Sequence, residues 1–387
     1  MSNYGRLDVT FTHGSGVCLY DDSGREYLDA LCGIAVCGLG HAHPDVTRAL
    51  AEQAARLVHT SNLYRIERQE RLAEKLAALT GLERSFFCNS GAEANEAALK
   101  IARKHGHAQG IERPVVIAMN GSFHGRTMAA LSATGNPKVH AGFTPLLDGF
   151  LHVPYDDVDA VGAAAARADV VAVMVEPVLG EGGVGVPQPR YLAALRKLCD
   201  DRGLLLMVDE VQTGMGRTGR WFGFQHDDIV PDVVTLAKGL GNGVPIGACL
   251  ARGAAADVLG PGTHGSTFGG NPLVAAAALA VIDVIERDDL VARAAALGAR
   301  MLTAFRERLG GHAGVREVRG HGLMLGIVLE QPCAELVKEA LAAGLLINVT
   351  ADRVVRLLPP LIMSDAEADA IVDRVSALIE QFLARAA

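Results

Sequence analysis

Residues 114–119, 170–175, 204–208 and 233–236 form short stretches that are apolar almost without interruption and rich in Val, Ile and Leu. A strand with one wet face alternates polar and apolar residues. These do not, so they are expected to be covered on both faces, in a mostly parallel sheet between helix layers. The intervening segments have helical spacing: Leu72, Leu76 and Leu79 share one face, as do Leu192, Leu195 and Cys199 after Pro189. An Ala-rich run follows Asn271-Pro272 through about Arg287. The expected class is α/β, and ligands of such sheets bind beyond the carboxyl ends of the strands.

Those strand ends carry the chemistry. Asp232-Val233-Val234-Thr235-Leu236-Ala237 runs straight into Lys238-Gly239. A lysine held among apolar neighbours loses hydration, which lowers its pKa and suits it to form a Schiff base. A lone Lys-Gly at a strand end is otherwise an ordinary solvated turn; its neighbours decide. The 204–208 run ends on Asp209, and a buried carboxylate there needs a cationic partner, for which the protonated ring nitrogen of pyridoxal phosphate is a candidate. Ser90 with Glu93 reads as a capping box opening an Ala/Leu-rich helix, and Gly91 lets backbone approach a ligand closely. A helix start with free amides is a seat for phosphate.

The strings Asn89-Ser90-Gly91-Ala92-Glu93-Ala94-Asn95-Glu96, Phe123-His124-Gly125-Arg126-Thr127, Asp209-Glu210-Val211-Gln212-Thr213-Gly214 and Ala237-Lys238-Gly239 resemble the class III (ω-amino acid) aminotransferases. Similarity is greatest to their acetylornithine branch and runs nearly end to end. The resemblance implies fold type I of the pyridoxal-phosphate-dependent transferases, with a large cofactor domain and a smaller α/β domain. It implies Lys238 as the Schiff-base lysine and proton shuttle, Asp209 on the pyridinium, Gln212 on the phenolic oxygen, Phe123 stacked on the ring, and Ser90, Gly91 and Ala92 at the phosphate. Thr267, in His264-Gly265-Ser266-Thr267-Phe268-Gly269-Gly270, matches a threonine that reaches the phosphate of the neighbouring subunit, so a homodimer with shared sites is implied. Arg126 and Arg356 match the arginines that grip substrate carboxylates, and Glu181 matches the acid that pairs with the Arg356 position when no α-carboxylate is there. The implied reaction is ping-pong transamination between N-acetylornithine and 2-oxoglutarate, as in arginine biosynthesis.

The chain departs from that pattern in two places. Ala92 stands where threonine is common, shifting weight in the phosphate cradle onto Ser90 and Thr267. Cys37-Gly38 replaces an asparagine-alanine pair after Gly33-Ile34-Ala35-Val36, which is expected to alter the substrate wall near Ile34. Succinylornithine, ornithine and 4-aminobutyrate transaminases share most of these strings and stay open as alternatives.

With 387 residues and half the chain hydrophobic, a sizeable core in two lobes is expected. The division is an N-terminal segment, 1–45, packing on the small domain; a large domain, 46–287; and a small domain, 288–387. A net charge of -8 argues against a nucleic-acid partner. Seven scattered cysteines without a C-x-x-C pair fit free thiols in a reducing compartment. No apolar segment is long enough to span a bilayer and no signal-like start is present, so a cytoplasmic location without membrane association is expected. Gly214-Met215-Gly216-Arg217-Thr218-Gly219 fits a dinucleotide fingerprint, the mark of a rival oxidoreductase class. However, it leads into Arg220-Trp221-Phe222 rather than a helix start, and follows two acids that would repel a pyrophosphate. His41-Ala42-His43 lacks convergent ligands and reads as a turn; no metal is expected. Glu176-Pro177 ends another buried strand, with loop-fixing and direct site contact equally open.

Overall fold

The continuous apolar runs lie side by side in a seven-stranded sheet. In this computed structural model, which describes residues 1–386, its order is Arg84–Cys88, Gly247–Ala251, Val233–Leu236, Leu205–Asp209, Val170–Val175, Val115–Met119 and Phe150–Val153. Neighbours pair in parallel from Val233–Leu236 to Phe150–Val153. Gly247–Ala251 is antiparallel to both strands beside it.

Successive residues of one strand enter opposite cores, as a pleat requires. Leu206, Val208 and Val234 join Leu72, Leu76 and Leu195 on one face. Leu205, Met207 and Val233 meet Ala97, Ala98 and Ile101 of helix Gly91–Ala108 on the other. The unbroken apolar runs are thus two half-faces read alternately. Gly247–Ala251, sequence GACLA, has little of the β-branched character that marks its neighbours. Its small residues suit a slot between strands: a Cβ on Gly247 would lie 2.4 Å from the Ser90 carbonyl oxygen.

Helix Pro272–Arg287 begins at Pro272, as its sequence predicts, with Asn271 Oδ1 accepting from Leu273 and Val274 amides at 3.1 Å. The C-terminal part forms an antiparallel sheet in the order Val315–His321, Met324–Leu329, Val354–Leu357, Asn348–Thr350. Strands Phe11–Ser15, Cys18–Asp21 and Glu26–Asp29 form a separate sheet, completed by Leu345–Leu346 in parallel with Glu26–Asp29. The first residues of the chain are therefore hydrogen-bonded to its last third.

The 214–219 glycine cluster is a turn; buried Arg217 there donates to the Leu323 and Pro359 carbonyls, tying the cluster to the C-terminal part. His41 Nε2 lies 2.8 Å from Asp29 Oδ2, and His43 caps helix Pro44–Ala54. All seven cysteines are free thiols. Among the described residues no helix is long and apolar enough to cross a membrane.

Candidate active site

At the carboxyl edge of the large sheet a cavity of about 390 Å³ is lined by Ser90, Gly91, Ala92, Phe123, Arg126, Glu176, Glu181, Asp209, Gln212 and Lys238, together with Val244, Pro245 and Ile246 ahead of the antiparallel strand. Strand geometry brings these distant segments together. Lys238 stands two residues after Leu236, the last residue of its strand, and has a left-handed φ of 40°, a conformation that costs a non-glycine residue energy and persists where the surroundings enforce it. Burial lowers the Lys238 pKa below the ordinary lysine value, with Arg356 adding to the effect while Glu181, Asp209 and Glu176 oppose it. The result favours a neutral, nucleophilic amine.

Asp209 is 4 % exposed, and every oxygen has a donor. Oδ2 accepts from Asn95 Nδ2 and lies 2.8 Å from His124 Nδ1. Oδ1 accepts from the Val211 amide at 3.0 Å. Asn95 is itself fixed, accepting from Thr235 Oγ1 at 2.7 Å and donating to the His124 carbonyl at 2.7 Å. Burial disfavours a charged His124, but the hydrogen bond and charge of Asp209 outweigh it and the pKa rises. This network holds a carboxylate at the sheet edge with the solvation that water would otherwise give it. Asn95 and His124 escaped the sequence reading. Both stand in the strings that carry the family resemblance, but nothing local to either residue marks its contact with Asp209.

Ser90 Oγ accepts from the Glu93 amide at 3.2 Å. The predicted capping box is shifted by one residue: Glu93 reaches back to the Asn89 amide at 2.6 Å rather than to that of Ser90. The amides of Gly91 and Ala92, in the first turn, have no intrahelical acceptor by geometry. Gly91 packs so tightly that a Cβ would lie 2.8 Å from Val211. An anion seat, a lysine of lowered pKa, a buried carboxylate and the Phe123 ring in one cavity fit the phosphate, aldehyde, ring nitrogen and ring face of pyridoxal phosphate.

The two arginines differ. Arg126 is exposed, its guanidinium 5.5 Å from the Phe123 ring centroid. Arg356 is 0 % exposed. Its Nη1 donates to Glu181 Oε1 at 2.8 Å and to Gln212 Oε1 at 3.2 Å, and its Nε to Asn348 Oδ1 at 3.1 Å. Its Nη2 is buried without a partner. Asn348 was also missed; its segment carries no motif of its own.

Glu176 Oε1 accepts from the Phe123 amide at 2.9 Å and Oε2 from the Gly180 amide at 3.1 Å. It therefore ties the loop carrying Phe123 to the loop carrying Glu181, which is the loop-fixing role, and it also lines the cavity. Burial raises its pKa to about 7, with Asp209 adding to the rise while His124 opposes it.

Three expected residues do not line the cavity: Arg356 reaches it only through Glu181 and Gln212, and Ile34 and Thr267 lie elsewhere in the single chain. Ile34 is 36 % exposed with φ 69°, and Val36 lines the cavity instead. Thr267 is on an exposed loop outside the cavity wall.

The aminotransferase class-III family model matches residues 2–379. An acetylornithine aminotransferase from Nitrosomonas europaea is 58 % identical over 384 residues, covering 99 % of this chain and 98 % of that protein. An ornithine aminotransferase structure from Toxoplasma gondii, described with partial occupancy of PLP at its active site, superposes with a TM-score of 0.94 at 38 % identity, covering 98 % of this chain and 91 % of that one. The N-acetylornithine aminotransferase of Stenotrophomonas maltophilia gives 0.87 at 39 % identity, covering 99 % of each chain. With its lysine, carboxylate and anion seat gathered at one sheet edge, and a family match spanning nearly its whole length, the chain belongs to the class-III aminotransferases.

Proposed function

We infer that the chain transfers the side-chain amine of N-acetylornithine to 2-oxoglutarate, giving N-acetylglutamate 5-semialdehyde and glutamate, with pyridoxal phosphate as cofactor. Full-length identity to acetylornithine aminotransferases supports the reaction. The observation that carries the two-substrate reading is the Arg356–Glu181 pair, in which Glu181 lines the lysine cavity and the buried Arg356 stands behind it.

Bound in the cavity, pyridoxal phosphate supplies the carbonyl that carries the amine and the ring that withdraws electrons. The chain supplies the rest. The Gly91 and Ala92 amides and Ser90 would hold the phosphate, Phe123 the ring face, Gln212 the phenolic oxygen, and Asp209, kept in place by Asn95 and His124, the ring nitrogen. Lys238 Nζ takes the proton from the amine-bearing carbon of the donor and returns one to the corresponding carbon of the oxo acid. Arg126 would hold the α-carboxylate of N-acetylornithine while Glu181 masks Arg356. With 2-oxoglutarate, Glu181 withdraws, Arg356 takes the α-carboxylate, and Arg126 keeps the distal one.

A homodimer is part of this reading. Beside the Thr267 loop, Leu57, Val58, Leu63 and Phe268 are 48 %, 47 %, 87 % and 59 % exposed, with His59 and Phe268 rings 5.5 Å apart. Such a contiguous apolar surface suits a second copy, and would place Thr267 at the partner's phosphate. The division into segments 1–45, 46–287 and 288–387 is retained on the same footing. The deciding experiment compares initial rates for N-acetylornithine, N-succinylornithine, ornithine and 4-aminobutyrate at fixed 2-oxoglutarate. N-acetylornithine is expected to lead, and equal or faster turnover of 4-aminobutyrate would replace it as donor.

A further inference from the structure

The acceptors around Arg356 differ in charge and in freedom. Asn348 and Arg356 are directly opposed in an antiparallel pair, so their side chains leave the sheet on the same side and the Nε bond of 3.1 Å is built into the strand register. On the opposite flank the opposed residue is Gly326, which has no side chain to offer. A Cβ there would come within 2.9 Å of Val184, in the loop that carries Glu181. Glu181 stands on that loop with its side chain 32 % exposed, and Gln212 lies among the residues read as holding the cofactor. Asn348 is therefore the acceptor fixed by strand pairing and committed to the guanidinium alone.

We propose that Asn348 is a positioning residue for the dicarboxylate half of the reaction and that it must be uncharged to serve. The proposal rests on the reading that Glu181 leaves Arg356 when 2-oxoglutarate binds. A guanidinium is planar, so one bond at Nε sets the direction of its whole fork. Without it, a buried cation would follow the departing Glu181 carboxylate, because an unpaired buried charge is strongly disfavoured. Asn348 keeps the fork in place, with Nη2 free for the incoming carboxylate. A carboxylate at 348 would orient the fork equally well but would neutralise it permanently and compete with the substrate. Glu181 is the removable anion and Asn348 the permanent neutral acceptor.

Single-turnover titrations test this, following the absorbance of the bound cofactor in wild type, Asn348→Leu and Asn348→Asp. The leucine variant should raise half-saturating 2-oxoglutarate about tenfold or more while its maximal rate and the N-acetylornithine half-reaction change less than about threefold. The aspartate variant restores the Nε acceptor, yet should bind 2-oxoglutarate no better than the leucine variant, and should favour N-acetylornithine over 2-oxoglutarate more strongly than wild type. Wild-type saturation by 2-oxoglutarate in Asn348→Asp would overturn the proposal, since any acceptor would then suffice. Equal losses in both half-reactions of Asn348→Leu would also overturn it. If that variant fails to fold, the nearly isosteric aspartate variant decides alone. Absence of a 2-oxoglutarate half-reaction in wild type would instead remove the two-substrate reading, and this proposal with it.

Discussion

Arg126 and Arg356 are the same residue type at one site, yet they are held in opposite ways: Arg126 lines the cavity, whereas Arg356 lies behind Glu181 and Gln212, which do. Arg126 sits at the surface over the Phe123 ring, on a loop. Arg356 is sealed in a strand among Glu181, Gln212 and Asn348. A solvated guanidinium needs no fixed counter-ion and can take a carboxylate from every substrate that enters. A buried one needs a partner at all times, so it discriminates: a substrate carboxylate must displace Glu181 to reach it. Arg126 is thereby read as common to both half-reactions, and Arg356 as specific to the half that handles 2-oxoglutarate and glutamate.

The largest effect should come from the centre that both arms serve. Lys238→Ala removes the group that moves the proton in each direction, and should slow both half-reactions by about 10⁴-fold or more, ~5.5 kcal/mol. The loss must be symmetric. Borohydride reduction of the wild-type holoenzyme followed by peptide mapping should label Lys238; a label on another lysine would transfer the role. Arg356→Ala comes next, because it removes a buried cation and leaves Glu181 facing the incoming carboxylate. A loss of about 3 kcal/mol, roughly a hundredfold, is expected in the 2-oxoglutarate half, with a much smaller loss for N-acetylornithine. A balanced loss would erase the distinction between the arms. Arg126→Ala should then weaken both substrates, about tenfold each, as fits a charge-assisted contact made in water. If half-saturation moves for only one of them, Arg126 is not the shared arm.

How much of this was legible in the sequence follows from how each residue is held. Lys238, Asp209 and Ser90 stand where an apolar run stops, and a polar residue at the end of a buried strand is visible without knowing what it touches. Asn95 and His124 converge on Asp209 from segments 114 and 85 residues away, and nothing local marks them. Asn348 acquires its role only through register with Arg356. The antiparallel strand Gly247–Ala251 was overlooked for a related reason: its first residue, Gly247, is required by the Ser90 backbone beside it, not by intrinsic strand preference. Helix Pro272–Arg287, in contrast, carries its own cap and periodicity. Local signals locate elements and their ends, whereas the polar network behind the site is written in pairings between elements.

The smallest predicted effect is the most diagnostic for the two arms. Glu181→Gln keeps a side-chain oxygen for Arg356 Nη1 but removes the charge. The carboxylate is about a third exposed, 32 %, so water already screens part of the pair and its loss is worth about 1 kcal/mol rather than the several expected of a sealed pair. That corresponds to about a fivefold change. Its direction carries the information: half-saturation by glutamate should improve, because its α-carboxylate no longer displaces an anion, while N-acetylornithine should bind less productively against an unmasked cation. Single-turnover titrations with each donor, read at the cofactor's absorbance, give the two numbers. Opposite shifts of that size would establish Glu181 as the removable mask; shifts of the same sign would mean it braces the loop tied down by Glu176, and the contrast between the arginines would then rest on burial alone.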